Sequence, residues 1–185
     1  MAVPADVVGL AVGQLGYHEG RDAHGNWDNV EKYVNDLPSL RQYQGQSWCA
    51  IFVSWLALKA GMSSKFPCTA SCSDAVAWWQ QHNRWGWKPQ VGAQVFFGPG
   101  GSEHTGVVES FTDTHVTVIS GNANDGNAPA GIGNSVHRDT YTRTNPYVYG
   151  YGYPAYDTPS NRSLTIEQRI SALEAEVKAL LAKVH

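Results

Sequence analysis

Three residues of this chain have side chains that could together break an amide bond: Cys49 at the head of the apolar run CAIFVSWLALKAG, His104 in HTGVVES and Asn122 in ISGNAND. A thiol attacks a carbonyl as its thiolate, and an ordinary cysteine is only slightly ionised at neutral pH, so the anion needs help. A place in the first turn of a helix gives it, because unpaired backbone N–H groups and the positive end of the helix dipole face the sulfur. A neighbouring imidazolium lowers the thiol pKa further, and the same N–H groups can receive the oxyanion formed on attack. Taken alone, Cys49 is as readily a small buried hydrophobe, which is what most free cysteines are. The histidine and its orienting group decide between the two.

Spacing supplies that test. HTGVVESF and HVTVIS read as two strands joined by Thr112–Thr114, a register that sets Phe111 opposite His115 and His104 opposite Asn122. Gly106, Val108, Val116 and Val118 share that face, while Thr105, Glu109 and Thr117 make the other more polar. His104 and Asn122 are therefore expected on the core-facing side, against which the Cys49 helix packs. His104 then takes the Cys49 proton and returns it to the leaving amine, and the Asn122 side-chain oxygen accepts the other ring N–H. Asn orients without neutralising, which suits a pre-formed thiolate–imidazolium pair.

The elements that must position these groups follow from periodicity. Pro4 with Val7, Val8, Ala11 and Val12 predicts a short first helix, and a polar loop leads to a helical turn around Asn29–Val34. The Cys49 helix is apolar all round and closes at Gly61; a third helix follows with Thr69 or Ser71 as its cap. From Ala93 onward, short runs rich in Val, Tyr, Phe and Thr alternate with turns, predicting an antiparallel meander. Helices first and strands after make an α+β domain. Residues 1–153 are assigned to it and 154–164 to a linker. Ile166, Ile170, Leu173, Val177, Leu180 and Val184 then repeat as the heptads of a coiled coil over 165–185, which predicts a homo-oligomer; docking of that helix on its own domain is the alternative.

Composition narrows the classes. Of 185 residues 42% are hydrophobic and 16% charged, enough apolar material to build a core. A net charge of −3 without a basic patch argues against a nucleic-acid partner. The first residues lack a basic leader, and Pro4, Asp6, Gly9 and Gly13 interrupt their apolar run, so neither a secretory signal nor membrane insertion is expected. Three cysteines, an odd number, argue against a disulfide framework. Cys68 and Cys72, with only His82 near, fit no zinc pattern and read as buried thiols or a local disulfide.

WCAIFVSWLALKAG, HTGVVES and ISGNAND resemble, in order and spacing, the catalytic segments of the CHAP family, the cysteine- and histidine-dependent amidohydrolases and peptidases. The likeness covers about residues 14–153, and GYHEGRDAHGNWDNVEKY resembles lysins of phages that infect actinobacteria. It implies a papain-like fold that cleaves amide bonds of peptidoglycan, as an N-acetylmuramoyl-L-alanine amidase or an endopeptidase, with Cys49 as nucleophile, His104 as base and Asn122 as third member. Many relatives carry an acidic residue where this chain has Ser120, so any charged fourth member is in doubt. Gln46 is a candidate oxyanion helper or else a plain loop residue. Asp22, Asn26 and Asp28 around Gly25 loosely resemble a calcium loop, as some CHAP domains bind calcium, against the alternative of a solvated turn. No cofactor is otherwise required. The resemblance implies an endolysin made in the host cytoplasm that reaches the wall once the membrane is permeabilised. The alternative is a wall-binding or virion structural protein with an idle site.

Overall fold

A computed structural model describes residues 2–157, within which Ala2–Tyr156 form one compact unit. Helix α1 (Pro4–Val12) begins with proline in its first turn, where the missing N–H costs nothing. Two 3₁₀ turns follow, Tyr33–Asp36 and Pro38–Tyr43, so the turn expected around Asn29–Val34 begins later. The buried Glu31 carboxylate accepts the Tyr33 and Val34 backbone N–H groups at the start of that turn, while Asn29 before it has a left-handed backbone with φ 56°. Helix α2 (Cys49–Lys59) is buried from Cys49 through Ala57, as its all-round apolar sequence demands. Helix α3 (Cys72–Gln81) is capped by Ser71, whose hydroxyl accepts the Asp74 N–H at 3.1 Å.

Six strands complete the unit: β1 (Trp85–Gly86), β2 (Gln94–Phe97), β3 (His104–Phe111), β4 (His115–Ala123), β5 (Ser135–Thr142) and β6 (Val148–Gly152). Their order is β1-β6-β2-β3-β4-β5, and every pairing is antiparallel. This is an α+β arrangement, but β2–β5 alone form the expected meander. β6 returns to cover the free edge of β2, which would otherwise present unpaired backbone groups.

Both faces of the sheet are buried. Phe96, Val107, Ile119 and Val136 join the helices in the main core, whereas Val95, Phe97, Val108, Val116, Val118 and Tyr151 form a second cluster on the opposite face. The expectation that α2 covers Val108, Val116 and Val118 is therefore corrected. Polarity pointed to the wrong face, because Thr105 is buried on the covered side with its hydroxyl bonded to the Val95 carbonyl; α2 lies against the face bearing Val107, Ile119 and Gly121. A Cβ at Gly121 would collide with Trp48 and Phe52, so glycine there lets α2 approach the sheet closely.

The linker assignment is also shortened at its start. Tyr156 is packed against the main core and its hydroxyl donates to the Gly92 carbonyl at 2.8 Å, so Pro154–Tyr156 belong to the domain. The proposed coiled coil over 165–185 lies outside the described residues. Among those described, no helix is long and apolar enough to cross a membrane.

Candidate active site

Cys49 is the first residue of α2, and no side chain caps that helix end. The residue is 5% exposed. The Cys72 Sγ, at the first position of α3, stands 3.6 Å away, so two helix N-termini bring two thiols together. Both cysteines are free, as is the exposed Cys68. Of the two alternatives for Cys68 and Cys72, the disulfide is not formed and the buried thiol holds for Cys72 alone: α3 turns Cys72 inward onto α2 and leaves Cys68 outside, 3.9 Å from the Ser39 hydroxyl.

The thiol hydrogen bond from Cys72 holds the Cys49 pKa well below its ordinary value; burial opposes this, and the His104 imidazole, by hydrogen bond and by charge, and the Thr105 N–H reinforce it. The Cys72 thiol is pushed far up, first by donating to Cys49 and then by burial. The neighbours favour Cys49 as the sulfur that carries the charge. Cys49 has an imidazole and a backbone N–H beside it, whereas the Cys72 thiol bonds to Cys49.

His104 opens β3 and pairs with Phe97, sharing that residue's face, so it belongs to the side of the sheet away from α2. As the first residue of its strand it stands at the end of the sheet, where the α2 tip meets it. Thr105 behind it is fully buried and held: its hydroxyl donates to the Val95 carbonyl at 2.7 Å and accepts the Gln94 amide, which in turn accepts the Trp79 indole N–H at 2.8 Å. This chain of bonds ties α3 to the backbone that presents His104.

The hairpin register differs from expectation in two places that cancel. Phe111 pairs with Val116, not His115, so the register next to the turn is shifted by one residue; an irregularity at Glu109 then restores Val108 opposite Val118 and Val107 opposite Ile119. Carried to the strand ends, that inner register brings His104 and Asn122 to the same end of the hairpin, and both line one cleft. A second bulge lies between Ser120 and Ala123, and Asn122 within it adopts a left-handed backbone with φ 54°. Asparagine tolerates this region better than most residues. Gly133 crosses so closely that a Cβ there would strike the Asn122 carbonyl.

The expected His104–Asn122 hydrogen bond is not made among the described residues. The bulge re-aims Asn122, whose Nδ2 donates to Asn29 Oδ1 at 3.0 Å, Gly133 O at 3.3 Å and Glu19 Oε2 at 3.4 Å. Glu19 is buried; Oε2 also accepts the Trp48 indole N–H at 2.6 Å and Oε1 the Asn29 N–H at 2.9 Å. A charged residue does support the site, but it comes from the loop after α1. Ser120 is buried within β4 opposite His137. Gln46 is exposed, and Ser47 lines the cleft in its stead.

The cleft has a volume of about 410 Å³, within the range of small-ligand sites, and is lined also by Glu103, Asp139, Tyr141 and Tyr147. Burial, with the Glu103 charge next, raises the Tyr147 phenol pKa. Cys49 borders this cleft through His104. The expected calcium ligands Asp22, Asn26 and Asp28 lie in one mostly exposed loop, bonded largely within it. Asp22 spends its oxygens on the His24 and Asn26 N–H groups and the Asn26 amide, while Asp28 accepts the Val30 N–H. Among the described residues no three His, Cys, Asp or Glu side chains gather as they would around a metal ion.

No curated protein and no solved structure matches the chain. The family model of the CHAP domain, however, matches residues 41–122. That stretch runs from the turn before α2 to the bulge in β4 and contains Cys49, Cys72, His104 and Asn122 but not Glu19. With a thiol at a helix tip and an imidazole against it, residues 41–122 are similar to the CHAP family, whose members are typically cysteine- and histidine-dependent amidohydrolases.

Proposed function

We propose that the protein hydrolyses amide bonds of bacterial peptidoglycan by attack of the Cys49 thiolate, as an endolysin-type amidase or endopeptidase. The observation that carries this reading is the placement of Cys49, in contact with His104 and the Thr105 N–H at the end of a cleft large enough for a peptide. A sulfur held as its anion attacks the carbonyl carbon, and the oxyanion meets the N–H groups of the uncapped first turn of α2. His104 protonates the departing amine, leaving an acyl thioester on Cys49. It then takes a proton from water, whose oxygen attacks the thioester carbonyl and frees the thiolate. Asn122 keeps its amide oxygen without a hydrogen bond among the described residues, so that oxygen is available to a substrate N–H or to the His104 ring once the site is filled.

Mass spectrometry of fragments released from purified walls tests this. Wild-type protein is expected to release peptides with a new amino end, and their masses identify whether the muramoyl–alanine link or a peptide bond was cut. Cys49→Ala is expected to release none while retaining its thermal unfolding transition. Wall binding without cleavage by the wild-type protein would favour a binding or structural role in its place.

A further inference from the structure

The second thiol has a use that acyl transfer does not require. Cys49 Sγ and Cys72 Sγ are in van der Waals contact at 3.6 Å, both free and both at helix tips. A disulfide would need the two sulfurs about 1.5 Å closer, a shift within the reach of side-chain rotation. Cys68, exposed and bonded towards Ser39, is no part of the pair.

We propose that Cys72 is a resolving thiol: under peroxide the pair closes to a Cys49–Cys72 disulfide, a modification that parks the nucleophile in a recoverable form. The Cys49 thiolate attacks one oxygen of hydrogen peroxide, the O–O bond breaks, and hydroxide leaves and takes a proton to become water. Cys49 is now a sulfenic acid. The Cys72 sulfur then attacks the Cys49 sulfur, the S–O bond breaks, and the Cys72 proton accompanies the departing hydroxide as a second water. Two thiols lose two electrons, and one peroxide gains them. The neutral state of Cys72 matches this step, because its proton is delivered to the leaving group. Without a partner in contact, the sulfenic acid would be open to a second peroxide and to irreversible sulfinic acid.

The loss of activity in this scheme rests on Cys49 being the nucleophile, but formation of the disulfide does not. The test therefore reads chemistry first. Full-length protein is treated with a few equivalents of hydrogen peroxide, free thiols are alkylated, and peptides are mapped by mass spectrometry. Wild-type protein is expected to lose two hydrogens, to yield a linked Cys49–Cys72 peptide with Cys68 alkylated, and to recover its thiols and wall hydrolysis with a dithiol reductant. Cys72→Ser keeps a hydrogen-bond donor but cannot bridge, and is expected to gain two oxygens at Cys49 that no reductant removes. Cys68→Ser is expected to behave as wild type. Conversion of wild-type Cys49 to sulfinic acid as fast as in Cys72→Ser, or a bridge involving Cys68, overturns the proposal. A clean Cys49–Cys72 bridge in a protein that never cleaves walls would uphold it and refute the hydrolase reading.

Discussion

At the scale of single residues, the site is an argument about where one negative charge rests. Two thiols in contact would share it evenly, and His104 with the Thr105 N–H breaks the tie in favour of Cys49. His104→Ala is expected to lower wall hydrolysis by about 10²–10⁴-fold, the usual worth of a general acid–base. Asn122→Ala, which removes no bond to the imidazole, is expected to cost less; initial rates of turbidity loss would compare them. Glu19→Gln tests the support behind Asn122. One carboxylate there serves the Trp48 indole, the Asn29 N–H and the Asn122 amide, and an amide replacement turns a donor on one of them. A loss of about 1.5–3 kcal/mol in urea unfolding is expected, as for other buried bonds to charge. Cys49 and His104 were legible because each opens a recognisable local pattern, an apolar helix and a short strand. Glu19 and Cys72 were not, since the partners they meet are distant in sequence.

Among the elements, α2 is the one whose position matters most. Gly121 is the contact that lets it sit on the sheet, with Trp48 and Phe52 directly above. Gly121→Ala is expected to cost about 1–3 kcal/mol in denaturant unfolding through overpacking, and to lower activity more than stability alone explains, since Trp48 immediately precedes Cys49. Helices and most strands followed from periodicity and turn residues. Which face of the sheet α2 takes did not, because the polar Thr105 lies on the covered face with its hydroxyl satisfied by the Val95 carbonyl, and polarity alone pointed the other way. The two bulges were hidden for a related reason: an inserted strand residue leaves composition unchanged while it shifts every later side chain. The loop after Phe111 and the irregularity at Glu109 offset each other, so His104 and Asn122 arrive at one end of the hairpin by two departures from regularity.

For the whole molecule, the compact unit holds its cleft and its support residues within Ala2–Tyr156. The CHAP match begins at residue 41, yet Glu19 and Asn29, which brace Asn122, precede it. The N-terminal segment is therefore part of what supports the candidate site. The heptad pattern of 166–184 predicts self-association of the full chain, and sedimentation velocity should show a larger species for residues 1–185 than for a chain ended after residue 157. Equal sedimentation would remove the oligomer. The central claim, that Cys49 is already an anion in the resting protein, is tested most directly by its alkylation rate as a function of pH, followed by peptide mass spectrometry on the native full-length chain. A thiol with depressed pKa keeps its thiolate as pH falls and loses it only below that lowered value. Cys49 is thus expected to keep its reactivity at lower pH than a free thiol, which slows about tenfold per unit below its pKa, and His104→Ala is expected to move the profile towards the free thiol. A Cys49 profile that follows the free thiol in the wild-type protein would contradict the account.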